Sequence, residues 1–265
     1  ILFEFVQSPY FTDENVEKEK GIIGQEIQMY DDNPEFQIYI TLLQNLYVNH
    51  PIRIDTAGTI ESISHIDKEL LYKCYNTFYN PTNMILFTCG NVDCEKVAEL
   101  VDKYVVANPN TEIKRYLPEE PKTINKKYKE QKLSISTPLF QIGFKDTDVG
   151  YGGAKLLRKE IITSILLEIL TGEGSDLYNK MYSEGIINDS FDSDYEGEIS
   201  YGFASFSGES TDPDKVLTTI LDAFSKVDFT EEEFERIKKV EIARYLRMWN
   251  GVEGLSNTMV SDLFK

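Results

Sequence analysis

The chain has 265 residues, with 27 lysines and arginines against 45 aspartates and glutamates, a formal net charge of −18. That balance argues against a nucleic-acid or anionic-membrane surface, while 16 tyrosines and 15 phenylalanines supply enough bulk for substantial cores. The length suits one large domain or two ordinary ones, and no apolar run approaches the roughly eighteen residues of a membrane span.

Three cysteines, Cys74, Cys89 and Cys94, form no C-x-x-C pair, and their odd number points to reduced, packed thiols and a cytoplasmic setting. The chain opens on "ILFEFVQSPYF" without a methionine and closes in helical pattern, so the expectation is a piece of a longer protein.

A first helix is expected from Thr12 or Asp13, where "FTDEN" offers capping oxygens, to "DDNP", where Asn33 precedes a proline. Pro34 opens a second helix with Phe36, Tyr39, Ile40, Leu43, Leu46 and Tyr47 as its apolar stripe. A short helix follows over about 67–79, then "NMILFTCGNV" as a buried strand and an amphipathic helix to about Val105. Residues 106–127 carry three prolines and little periodicity, and read as a linker. Beyond it "KLSISTPLFQIGFKD" reads as strand and "AKLLRKEIITSILLEIL" as a strongly apolar helix, followed by a helical "SDLYNKMYSEG". "DSFDSDYEGEISYGFASFSGES" alternates as a hairpin turning at 197–200, and three helices start near Asp212, Thr230 and Val252. The expectation is an α+β protein of two related domains with antiparallel or mixed sheets flanked by helices, each incomplete: 1–105, the linker 106–127, and 128–265.

The chain also repeats itself. "FTDENVEKEKGIIGQEIQMYDD" at 11–32 aligns without gaps on "FTEEEFERIKKVEIARYLRMWN" at 229–250. Phe11, Thr12, Glu14, Glu17 and Lys20 recur as Phe229, Thr230, Glu232, Glu235 and Lys238, whereas Glu19 pairs with Ile237 and Glu26 with Arg244. One working copy and one structural copy would diverge in this way.

Wound as a helix, the first copy puts Glu19, Ile22, Ile23, Glu26 and Tyr30 on one stripe, taken as the face the helix buries. Carboxylates on a buried stripe are costly unless paired, neutralised or bound to a metal. Two readings stay open from periodicity: pairing with lysines or arginines from elsewhere, or metal ligation through oxygen.

"VEKEKGIIGQEIQMYDDNP" and "LYVNHPIRIDTAGTIESISHIDKELLYKCYNTFYNPTNMILFTCGNVD" resemble the insulinase-like (pitrilysin) zinc peptidases, the inverzincins, and especially their bacterial, processing-peptidase-like branch. "GSDLYNKMYSEGIINDSF" is similar to a second-domain segment of the same family. In that family two histidines of an H-x-x-E-H helix and a glutamate from a later helix hold zinc, and the motif's own glutamate is the general base. By position Glu26 corresponds to the third zinc ligand and Glu19 to the supporting acidic residue. The H-x-x-E-H motif itself is absent: the two histidines, His50 in "NHP" and His65 in "SHID", read as structural. Where relatives often place a substrate-holding arginine and tyrosine, this chain has Tyr182 and Asn188; no binding role carries over, and Tyr182 is expected to pack.

The resemblance implies a zinc metalloendopeptidase acting on unfolded peptides, of which this chain is an inactive middle piece lacking its own zinc. It also implies a second homologous half or subunit as partner, with neither nucleic acid nor membrane involved. The alternative is a non-catalytic partner subunit that binds peptides or shapes a chamber.

Overall fold

A computed structural model describes residues 1–106 and 113–265. In chain order the helices of the first part are α1 (Leu2–Gln7), α2 (Asp13–Asp31), α3 (Pro34–Leu46), α4 (Ile60–Ser64), α5 (Lys68–Phe78) and α6 (Cys94–Tyr104). Then come β1 (Leu139–Lys145), α7 (Gly153–Thr171), α8 (Asp176–Ser183), β2 (Asp192–Gly197) and β3 (Gly202–Glu209). The last elements are α9 (Pro213–Phe224), α10 (Glu231–Trp249) and α11 (Val252–Phe264).

These elements group into two units that interleave along the chain. One comprises Ile1–Asp32 and Asp55–Leu117; the other comprises Asn33–Ile54 and Pro118–Lys265. The expected sequential division at 105 and 128 therefore differs from the contact grouping, because α3 packs on β1 of the second unit. Of the expected linker, residues 107–112 lie outside the described residues, while 118–127 group with the second unit.

In the first unit the described residues are helical or irregular. Thr12 caps α2 by accepting from the Asn15 amide, and Asp13 pairs with Lys68 at 2.6 Å. Phe11 packs edge-on to Tyr72, with ring centroids 5.0 Å apart. Helix α4 lies against α2, where Gly24 leaves room for Ile60 and the Lys20 ammonium reaches the Ser64 carbonyl. The strand expected at "NMILFTCGNV" does not form among the described residues. Met84, Ile85 and Leu86 are irregular and exposed, since no neighbouring strand accepts their backbone groups.

In the second unit β1, β3 and β2 form an antiparallel sheet in that order, with Ile142 opposite Phe206 and Phe206 opposite Ser193. Alternation along β3 sends Phe206 to one face and Phe203 to the other. The Phe206 face meets Leu167, Met181, Val216 and Ile220 from α7, α8 and α9; the Phe203 face meets Leu42, Leu43, Leu46 and Tyr47. The strand foreseen from Lys132 starts only at Leu139, just after Pro138, while the hairpin closes through Glu198 and Tyr201. The α+β expectation holds, with the described sheet confined to this unit.

Candidate functional site

Helix α2 is fixed by its buried residues Val16 and Ile27, with Lys20, Ile23 and Tyr30 half-buried along the same line. This seam is rotated by about 70° from the stripe drawn from the sequence. Glu19 and Glu26 consequently lie exposed, beside Ile22 and Met29, which are 42% and 59% exposed. The expectation that Glu19 and Glu26 point into the chain's own core is thus corrected: the packed seam passes beside them. The four residues 19, 22, 26 and 29 follow helical spacing, so they form a continuous open face. Seven residues of rise separate the carboxylates by about 10 Å along the axis. Neither makes a hydrogen bond or ion pair among the described residues, so both are free to accept one.

The second copy of the repeat has the same length and the same cap. Helix α10 also runs for 19 residues after a threonine, Thr230, whose hydroxyl accepts from the Glu233 amide. At the two corresponding positions the glutamates give way to one buried and one paired side chain. Ile237, at the place of Glu19, is 1% exposed, and α10 packs on α7. Arg244, at the place of Glu26, donates to Glu168 of α7 at 2.9 Å and to Glu241 at 2.5 Å. The carboxylates around it hold the guanidinium pKa above its ordinary value, chiefly through the Glu168 hydrogen bond. The repeat identified Arg244 in the sequence; its partner Glu168, 76 residues away, had no local signature.

Neither histidine belongs to this face. His50 is buried: Nδ1 accepts from the Ile52 amide, and Nε2 lies 3.1 Å from the Ser200 hydroxyl. Burial, with Lys145 nearby, pushes its pKa below the usual histidine value despite Glu120. His65 is exposed at the C-terminal cap of α4. Among the described residues no group of three or more histidine, cysteine, aspartate or glutamate side chains could hold a metal. A lone glutamate does not make a zinc site, so the donor set fits only as one contribution to a site completed by other polypeptide.

Glu120 went unnoticed in the sequence. Its carboxylate accepts from the successive amides of Val48, Asn49 and His50 and from the Lys145 ammonium at 2.5 Å. Burial alone would raise its pKa, but Lys145 and the three amides outweigh this and hold it at about 2. Lys145 also reaches the Pro121 and Thr123 carbonyls and stands over the Tyr47 ring. This network fastens the 118–124 segment to the end of α3.

Tyr182 stacks on Tyr178 with centroids 5.9 Å apart, yet is 52% exposed, so it packs on one side only and the expectation of a packing residue needs that correction. Asn188 donates to Glu209 and accepts from the Ser190 amide.

The family model described as the peptidase M16 inactive domain matches residues 65–241. The chain is 42% identical over 268 residues to a Bacillus subtilis protein named "Uncharacterized zinc protease YmfH", covering 99% of this chain and 63% of that one. A solved protein from Alicyclobacillus acidocaldarius, described as M16-like, superposes with a TM-score of 0.94 at 34% identity, over 99% of this chain and 63% of the other. A further Bacillus subtilis relative, 30% identical over 117 residues, covers 42% of this chain and 27% of its own length and is named "Probable inactive metalloprotease YmfF". The chain belongs to the M16 peptidase family. It spans 63% of the length of YmfH and of the Alicyclobacillus protein. Among the described residues no helix is long and apolar enough to cross a membrane, and the three cysteines are free thiols.

Proposed function

We propose that this chain is part of a cytoplasmic, zinc-dependent endopeptidase that hydrolyses peptide bonds in unfolded peptides. Glu26 is the third protein ligand of the metal, and Glu19 supports the site from two turns earlier on α2. The observation that carries this reading is the contrast between the repeated helices. In α10 the corresponding positions hold Ile237, which is buried, and Arg244, which is bound to Glu168 of α7. In α2 the same positions hold two exposed carboxylates without partners, next to exposed Ile22 and Met29. Such a face suits a helix that brings nitrogen donors toward Glu26 and covers the two apolar side chains. When bound, zinc supplies a more acidic water and polarises the scissile carbonyl. Glu26 contributes negative charge and an oxygen donor, while Val16 and Ile27 hold its helix in place.

The isolated chain, with one ligand of three, is inactive in this account, and a second homologous half or subunit encloses the substrate. A second reading, a non-catalytic partner subunit, is favoured by the name of the YmfF relative. Cleavage of an unfolded, quenched-fluorescence peptide separates the two. The protein at the full length of its relatives should cleave it, Glu26→Gln should not, and residues 1–265 alone should not. A full-length protein that binds the peptide intact would support the partner-subunit reading instead.

A further inference from the structure

A second feature lies on α10, beside Arg244 and independent of any metal. An open groove of about 560 Å³ runs along this helix, and Arg236, Lys239 and Arg247 line it. All three are exposed, and none of their side chains makes a hydrogen bond or salt bridge among the described residues. The chain's net charge is −18, and Arg236 and Lys239 also interact electrostatically with the nearby Glu233 and Glu235 carboxylates. Val240 and Ala243 form the floor between them. The Arg236 guanidinium lies beside the turn before α8, 3.2 Å from where a Cβ on Gly174 would sit. The carboxylates in the lining, Glu232 and Glu235, belong to the first turns of α10, and Glu235 already pairs with Lys238. From Arg236 to Arg247 the lining is cationic or apolar.

We propose that this groove binds an extended, acidic peptide segment. Arg236 and Arg247 are eleven residues apart, about 16 Å along the axis, which an extended chain crosses in about five residues. Carboxylates near the two ends of such a segment would meet the two arginines, with smaller apolar residues over Val240 and Ala243. Guanidinium forks suit paired carboxylate oxygens, and Lys239 adds a point charge between them. The acidic remainder of the surface repels the same ligand elsewhere, which confines it to the groove.

The test is fluorescence anisotropy on the 265-residue chain. The probe is a labelled peptide of about eight residues with glutamates about five apart around apolar residues. Its counterparts are the same peptide with lysines in place of the glutamates and an oligothymidylate of similar length. The acidic peptide should bind and should weaken about tenfold or more in an Arg236→Gln/Arg247→Gln double variant. Lys73→Gln, on α5, should leave binding unchanged, and added salt should weaken it. The substituted side chains are exposed, so circular dichroism should show unaltered folding. Equal binding of the lysine peptide or the oligothymidylate would overturn the proposal. So would undiminished binding by the double variant, or no binding of the acidic peptide at all.

Discussion

Glu120 shows how one side chain can fasten a segment to a helix end. Three successive amides at the end of α3 point at its carboxylate, and Lys145, which stands over the Tyr47 ring, neutralises it. Glu120→Gln removes the charge that these donors face and should cost about 3 kcal/mol in urea unfolding at pH 7. Because the folded pKa is depressed, the stabilisation is present above the unfolded value of about 4.5 and is lost as pH falls toward about 2. The gap between wild type and Glu120→Gln should therefore close across that window. His50 acts in the same sense: its folded pKa is lowered, so protonation below about 6.5 favours the unfolded chain. A gap that stays constant from pH 7 to pH 3 would count against the Glu120 network. None of this was legible in the sequence. Glu120 sits among prolines in a stretch with no periodicity, and its amide partners lie about seventy residues earlier.

At the scale of elements, α2 and α10 provide an internal control. The repeat predicted equal helices, and both run for 19 residues from a threonine cap. Ile237→Ala opens a cavity in a buried site and should cost about 2–5 kcal/mol. Glu19→Ala, at the corresponding place in α2, should change stability by no more than about 0.5 kcal/mol in the same urea titration. Comparable losses at both positions would mean that the α2 face is covered within this chain. Periodicity found α2 but set its inward direction about 70° off, since Ile22 was counted as core. Ile23 and Tyr30 lie on the edge shared by both stripes, which made either choice self-consistent. The extended segment after Pro81 failed for another reason: apolar residues specify a strand only where a sheet edge exists to receive it. In the second unit the sheet is closely packed against α3. A Cβ on Gly143 would stand 2.6 Å from Leu42 Cδ1 and 3.0 Å from Leu46 Cδ1. Gly143→Val should therefore destabilise by about 1–3 kcal/mol, read as a lower urea midpoint at unchanged slope.

For the molecule as a whole, the chain order of the elements and the order of the units are different things. Helix α3 follows α2 immediately, yet it covers the Phe203 face of a sheet whose strands begin at Leu139. Composition marked a linker between domains, but composition does not report which earlier helix a later sheet will recruit. Family membership was readable because an ordered set of short motifs survives in the sequence. A metal site was not, since among the described residues no group of three or more histidine, cysteine, aspartate or glutamate side chains could hold one. The zinc-ligand role proposed for Glu26 belongs to the full-length protein. The most direct measurement is metal content by mass spectrometry of that protein and its Glu26→Gln variant, with folding checked by circular dichroism. About one zinc per chain is expected in the wild type, and a large loss in the folded variant. Equal zinc in both proteins would contradict the ligand assignment, and no zinc in the wild type would contradict the metallopeptidase itself.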